Sequence, residues 1–493
     1  MKLQELLSKI EYEMVAETDR DITSVAYDSR DVKEGALFAA LDGCRTEGAN
    51  FIDQAIENGA VCIVTETDVK LPDNVANVKV KNANSALGRI VSNFYGNPTE
   101  KMKVIGVTGT SGKTTVTNII YNIYSNLNIK SGLVGTIANK IGDVVEPTNY
   151  TTPQAVDLQK LFYKMVENKV EVCVMEVSSH GLDQERVYGT EFDCGVFLNI
   201  ARDHLDYHKT LEAYKEAKLK LFSYYPKEQK KPFYAVVNYD EGLLRDVRAV
   251  FDGEIITFGR HPEADVYSTN EIINIGSVEF DLNYKHKSVH IKFNMGGDFN
   301  ISNCLAAATV ALGDGISLED IKKGIEGTKP VNGRFQSVDC GQDFSVIVDY
   351  AHTPDEIEKL LKTANKIKKN RIITVCGCGG NRDRGKRPIM GKIACDNSDF
   401  VIITSDNPRD EEPKSIIDDI LEGIKDKNNY RVEVDRADAI KEALSMAKPK
   451  DCVIIAGKGH EDYQIVKGVK HHFDDKEQVR NYFNAQCTMH NAQ

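Results

Sequence analysis

A three-domain α/β fold is what this chain predicts, and three observations carry the prediction. Short apolar runs alternate with helix-period segments over nearly the whole sequence. Two breaker clusters, Gly96-Asn97-Pro98-Thr99 and Lys329-Pro330-Val331-Asn332-Gly333-Arg334, interrupt the alternation. The length, 493 residues, fits about three domains of ~150 residues each. Boundaries at the clusters give 1–98, 99–332 and 333–493. Composition agrees: 41% hydrophobic residues suffice for sizeable cores, and no apolar run reaches the ~18 residues of a membrane span.

In the first segment, Met1-Lys2-Leu3-Gln4-Glu5-Leu6-Leu7 carries acid early and reads as an amphipathic helix rather than a signal peptide. Residues 36–41 and 61–64 read as buried strands, with a helical pattern over 50–58 between them. The polar stretch Tyr27-Asp28-Ser29-Arg30 reads, by itself, as a surface loop.

The middle segment holds the stretch that organises the rest. An apolar strand, Val104-Ile105-Gly106-Val107, runs into Gly109-Thr110-Ser111-Gly112-Lys113-Thr114-Thr115, and a helical pattern follows. Strand, glycine-rich loop and helix start are the setting in which backbone N–H groups hold a polyphosphate. Lys113 would reach the terminal phosphates and the Thr114 hydroxyl would face Mg²⁺. Position 107 is Val where the full G-x-x-x-x-G-K-[ST] pattern has its first Gly, so the reading rests on the core G-x-x-G-K-T-T. A second strand ends in Glu176, where a Mg²⁺-binding acid belongs beside a phosphate loop. A third, 195–200, runs into Ala201-Arg202-Asp203-His204-Leu205-Asp206-Tyr207-His208, which spacing alone leaves open between a solvated loop and a metal site. A helix over 211–222 carries Lys218, which its neighbours make an ordinary surface lysine. Asn300 and Asn303 sit one turn apart at the start of an alanine-rich helix.

The last third repeats one pattern. Strands over 345–348, 371–375, 400–404 and 452–456 each end in polar sequence: Asp349-Tyr350-Ala351-His352, Cys376 through Asp383, Ser405-Asp406-Asn407-Pro408-Arg409 and Gly457-Lys458-Gly459-His460-Glu461. Helical patterns fill the gaps, so the sheet is open and mostly parallel. Ligands bind beyond the carboxyl ends of such strands, where all four polar clusters fall. Residues from about 484 to 493 read as a loose tail.

A formal net charge of −12 argues against a nucleic-acid or anionic-membrane surface. The eleven cysteines contain no C-x-x-C pair, which points to reduced thiols in a cytoplasm. A guanine-reading N-K-x-D is missing; the nearest string, Asn168-Lys169-Val170-Glu171, ends in Glu and precedes a strand. The long oligomerising helices of a remodelling ATPase are also missing. An ATP-using enzyme is the reading that remains.

Together the motifs resemble the Mur ligases of bacterial cell-wall synthesis, from Asp28-Ser29-Arg30 to His460-Glu461. Within them, Tyr150-Thr151-Thr152-Pro153, Glu176-Val177-Ser178-Ser179-His180-Gly181-Leu182 and Asp406-Asn407-Pro408-Arg409 are similar to the type that adds the third residue of the stem peptide. The resemblance implies an N-terminal domain for a UDP-sugar, a central ATPase and a C-terminal Rossmann-like domain for the amino acid. It implies that Ser29, Thr151, Thr152, Ser178, Gln184 and Arg186 hold UDP-MurNAc-L-Ala-D-Glu. ATP would meet Gly109 through Thr115 with Asn300, Arg334 and Asp349. Mg²⁺ would be held by Thr114 and Glu176, and a second ion by His204 and a carbamylated Lys218. Lys113, Glu176, His204 and Lys218 would be catalytic. Meso-2,6-diaminopimelate would meet Arg382, Asp406, Asn407, Pro408, Arg409, Gly457 and Glu461, because its far carboxylate suits bidentate arginine. A cytoplasmic monomer is expected. The alternatives are L-lysine as the amine, a folate polyglutamating ligase, which lacks the Asp28-Ser29-Arg30 domain, and a nucleotide-gated binding protein.

Overall fold

In the computed structural model, which describes residues 1–16, 21–42, 47–148 and 150–490, three α/β units follow one another. The first is a five-stranded sheet in the order Tyr12–Ala16, Ala76–Val80, Ala60–Thr65, Ala36–Ala39, Ser24–Ala26. All its pairs are parallel except the first. Its strands Ala36–Ala39 and Ala60–Thr65 are buried along their whole length, as near-continuous apolar strands must be when both faces are covered. The expected amphipathic start is a single helical turn, Leu3–Leu6.

The central sheet has eleven strands. Lys103–Thr108 lies in its middle, parallel to Val172–Glu176 on one side and Cys194–Phe197 on the other. Tyr234–Asn238 and Ile255–Gly259 continue the parallel part, and antiparallel ribbons extend both ends. Two apolar layers cover its faces. Helices Lys113–Asn126, Phe299–Gly313 and Leu318–Glu326 form one; Ala155–Glu167 and Leu211–Ser223 contribute to the other.

The third unit is a six-stranded sheet in the order Gln336–Ser337, Ser345–Asp349, Cys452–Ala456, Ile372–Cys376, Phe400–Ile403, Tyr430–Val432. Only the short first strand is antiparallel. A separate hairpin, Tyr463–Val466 with Val469–His472, stands beside it. The loose tail expected from about 484 is corrected here: helix Asp475–His490 runs through most of it. The helix is tied down because Asp475 pairs with the fully buried Arg436 at 2.7 Å and Val479 is buried in the core. Residues 491–493 of that stretch lie outside the described residues. Among the described residues no helix is long and apolar enough to cross a membrane.

Candidate active site

The phosphate loop leaves the end of Lys103–Thr108 and enters Lys113–Asn126 through two glycines at positive φ, Gly109 at 154° and Gly112 at 87°. A side chain at Gly112 would place its Cβ 2.6 Å from Asn303 Oδ1, so packing as well as φ requires glycine. Asn199, just past the neighbouring strand, pins the loop: its Oδ1 accepts the Ser111 N–H (2.9 Å) and its Nδ2 donates to Ser111 O (3.0 Å). Thr110 accepts from Ala201 N at 2.9 Å. Thr115 is buried in the first helical turn.

Two ammonium groups converge on this loop. Lys113 Nζ donates to Gly109 O and Thr110 O at 2.8 and 2.9 Å, and Lys218 Nζ donates to the same Gly109 O at 2.8 Å. Lys218 is 1% exposed. Its amine is pushed well below the usual lysine range, first by burial and then by the charge of Lys113. Its Nζ lies 4.5 Å from the centre of the Tyr214 ring, whose hydroxyl bonds Thr110. The sequence reading of Lys218 as a surface lysine is thereby overturned.

Glu176 ends its strand 1% exposed. Its Oε2 accepts from Thr114 Oγ1 and Thr136 Oγ1, each at 3.0 Å, and its Oε1 from Thr136 N at 2.8 Å. This is an oxygen-rich pair at the loop, the donor type hard cations take. Arg334 adds a cation, its Nη2 3.3 Å from Thr114 Oγ1. The segment Thr151–Thr152 joins the same network. Thr151 Oγ1 is 3.0 Å from Thr136 Oγ1, and Thr152 Oγ1 donates to Glu176 O (2.9 Å) and accepts from Ser178 N (3.0 Å). Arg186 donates to Thr152 O and to Gln184 Oε1, and the Ser178 hydroxyl caps the next helix by accepting from Gly181 N. Gln184 and Arg186 are half-buried here rather than solvated.

The open cluster 201–208 forms a turn with His204 at φ 52° and then a short helix, Leu205–His208. His204 packs edge-on against His180, with ring centres 4.8 Å apart, and lies 3.3 Å from Asp203. Burial lowers its pKa to about 4, against the pull of Asp203, so its imidazole is neutral at pH 7. Among the described residues no group of three or more His, Cys, Asp or Glu side chains is placed to hold a metal ion.

The four strand-end loops of the last sheet face this cluster across a cavity of about 310 Å³, lined by His204, Arg382, Asp406, Arg409, Gly457 and Glu461 among others. Arg409 Nη1 donates to Gly380 O and Arg382 Nη1 to Asn381 O. Asp406 is buried and its Oδ2 has no hydrogen-bond partner. Burial acts to raise its pKa, but the charges of Lys458 and Arg436 outweigh it and keep the carboxyl ionised. Asn407 Nδ2 donates to Glu461 Oε2 at 2.7 Å. Pro408 places its carbonyl where any side chain at Gly380 would go.

A second cavity of about 340 Å³ adjoins the phosphate loop and includes Ser111, Gly112, Asn303, Arg334 and Asp349. Asp349 accepts two backbone N–H bonds, from Phe335 and Ala351. Asn300 is placed differently: it is fully buried, donates to Gly296 O and accepts from Asn303. Asn303 is thus the one that reaches the cavity. Ser29 lies apart from both, in a third cavity with Tyr27 and Gln54, and donates to Gln54 Oε1 at 2.7 Å.

Three sequence profiles match in chain order: Mur ligase family, catalytic domain, over 21–95; Mur ligase middle domain over 107–311; and Mur ligase, glutamate ligase domain, over 333–459. A Clostridium tetani protein named UDP-N-acetylmuramoyl-L-alanyl-D-glutamate–2,6-diaminopimelate ligase is 43% identical, over 97% of this chain and 99% of its own. A Clostridium botulinum protein of the same name is 44% identical over 97% and 99%. This chain belongs to the Mur ligase family. A solved structure bearing that ligase name superposes with a TM-score of 0.70 at 33% identity, covering 99% of both chains.

Within this Mur ligase, sequence reasoning passed over Asn199, Thr136 and Tyr350. Thr136 and Asn199 each stand two residues past a strand of the central sheet, and Tyr350 directly follows Ser345–Asp349. The strand-end rule that selected Glu176 reaches all three.

Proposed function

We propose that this Mur ligase joins meso-2,6-diaminopimelate to the D-Glu γ-carboxylate of UDP-MurNAc-L-Ala-D-Glu, driven by ATP through an acyl phosphate, in peptidoglycan synthesis. The reading is carried by one observation. A single cavity presents the guanidiniums of Arg382 and Arg409 together with the carboxylates of Asp406 and Glu461. That array complements a far end bearing both carboxylate and ammonium. Lysine, with only an ammonium there, would leave two arginines facing a like charge.

The chain's residues divide the work by charge. Lys113, the loop N–H groups and the helix start bind the polyphosphate, and Arg334 adds a cation beside Thr114. Asn303 and Asp349 line the cavity that takes the rest of the nucleotide, with Asn300 orienting Asn303. Thr114 and Glu176 would hold one Mg²⁺, and His204 with Lys218 a second. When bound, the ions neutralise the repulsion between carboxylate and γ-phosphate and the charge of the transition state. Burial and the Lys113 charge lower the Lys218 pKa, which favours the neutral amine that is nucleophilic toward CO₂, and the resulting carbamate is an oxygen ligand, which an ammonium cannot be. Thr151, Thr152, Ser178, Gln184 and Arg186 orient the sugar-peptide, and Ser29 lines the UDP pocket. The amine of diaminopimelate then attacks the activated carbonyl, and phosphate leaves. We place the domain limits at 1–98, 99–332 and 333–493, in a cytoplasmic monomer.

The test incubates the protein with ATP, Mg²⁺, UDP-MurNAc-L-Ala-D-Glu and either diaminopimelate or lysine, reading phosphate release and product mass. Tripeptide formation with diaminopimelate supports the reading; preferential use of lysine overturns the specificity.

A further inference from the structure

We propose that Lys458 is the positioning residue of the amine site, fixing the faces that Asn407 and Glu461 turn toward the far end of the diamino acid. The inference rests on the reading of that cavity given above. Lys458 has a fully buried side chain. Its ammonium donates to Asn407 Oδ1 and Glu461 Oε2, each at 3.3 Å, and to the carbonyl of Tyr463. Its three hydrogens are then all used, so it acts through its partners and not on the substrate.

The effect on Asn407 is specific. Its Oδ1 accepts from Lys458 and also from the Ile465 N–H at 2.9 Å. Both acceptor sites are filled, so the amide cannot turn over without burying an unpaired donor against a cation. Its Nδ2 is left to face Glu461 and the cavity. A donor amide lining the same cavity as the Arg409 and Arg382 guanidiniums suits a carboxylate. The Glu461 carboxylate, whose charged form the same ammonium favours against burial and Asp406, suits an amine.

The third bond, to Tyr463, ties this arrangement to the hairpin. The Ile465 carbonyl accepts from Arg409 N at 2.9 Å, and Arg409 bridges Val466 while holding φ at 53°. One buried cation thus sets the side chains of two binding residues and anchors the ribbon that holds a third.

The test compares the unmodified protein with Lys458→Met, which keeps length and apolar stem but removes the charge. KM for diaminopimelate should rise about tenfold to a hundredfold, while KM for ATP and for the UDP-substrate stays within about twofold. A pH profile separates positioning from packing. Glu461 is faced by Asp406, Lys458, Asn407, Tyr350, Arg409 and Tyr463. Burial and Asp406 raise its pKa and Lys458 opposes them, so without Lys458 the pKa rises further and the charged carboxylate is less favoured. In the variant, KM for diaminopimelate should therefore fall more steeply with rising pH than in the unmodified protein. Lys470→Met, on the hairpin surface, is the control. If Lys458→Met does not fold, Lys458→Met/Glu461→Gln removes both charges of that pair and leaves Arg436 as the cation facing Asp406. Its KM should match that of Glu461→Gln alone within about threefold, since residues acting as one unit are not additive. An unchanged KM in Lys458→Met, a flat pH difference, or a double variant far worse than Glu461→Gln overturns the role. If the unmodified protein prefers lysine, the reading of the cavity fails first and takes this inference with it.

Discussion

Lys218 shows how far burial changes a residue's chemistry. Between Ala217 and Leu219 it reads as any helical lysine, yet it is 1% exposed and shares one carbonyl with Lys113. Two ammonium groups on one oxygen is an arrangement that burial makes costly unless one amine is neutral. Lys218→Ala should lower activity by on the order of a hundredfold or more, with partial recovery on adding formate; full activity in the variant removes the carbamate from the account. A second residue-scale case is structural. Arg387 is wholly buried and pairs with Glu411 and Asp419, each at 2.8 Å. Its hydrogen bonds lower the Glu411 pKa from 4.5 to about 2. A folded pKa below the unfolded one gives stability that is present above about pH 4.5 and lost as pH falls toward 2. Glu411→Gln should therefore lower the urea midpoint at pH 7, and its deficit should shrink as pH is lowered from about 5 to 3. An equal deficit at every pH would show that the charge contributes nothing.

At the scale of elements, parallel strands deliver site residues at their carboxyl ends, and the loops beyond them are shaped by close backbone approaches. Gly112 is the sharpest example, since it needs both its φ and the space that Asn303 leaves. Gly112→Ala should cost about 1–3 kcal/mol in stability and weaken nucleotide binding in calorimetry; unchanged affinity would mean that the loop and the helix Phe299–Gly313 do not share the nucleotide. The four strand-end clusters of the last sheet were legible because strand period and polar ends are local features. The hairpin Tyr463–Val466/Val469–His472 was not, although it grips Arg409, because its strands are only four residues each, one half-buried and the other exposed, and too short to show a period.

For the whole molecule, the linker between the central and last sheets is also part of the site. Gly333, at φ 67°, packs on the backbone of Gly459 and His460; a Cβ there would fall 2.1 Å from both Gly459 C and His460 N. Arg334 beside it reaches Thr114 and stacks on Tyr350, which in turn lies 4.9 Å from the His460 ring. Gly333→Ala should then raise KM for ATP and for diaminopimelate together; a rise in only one would show that the linker serves a single pocket.

By itself the sequence determined the α/β class, the phosphate loop, the strand that ends in Glu176 and the polar ends of the last sheet's strands. Each is written in the periodicity or spacing of neighbouring residues. Only the tertiary structure decided that Lys218 is buried against Gly109, that Asn303 rather than Asn300 lines the cavity beside the phosphate loop, and that Lys458 bonds Asn407 and Glu461. Those outcomes depend on which surfaces pack together across sheets and loops far apart in the chain, and burial, which sets charge state and hydrogen-bond direction, is a property of that packing.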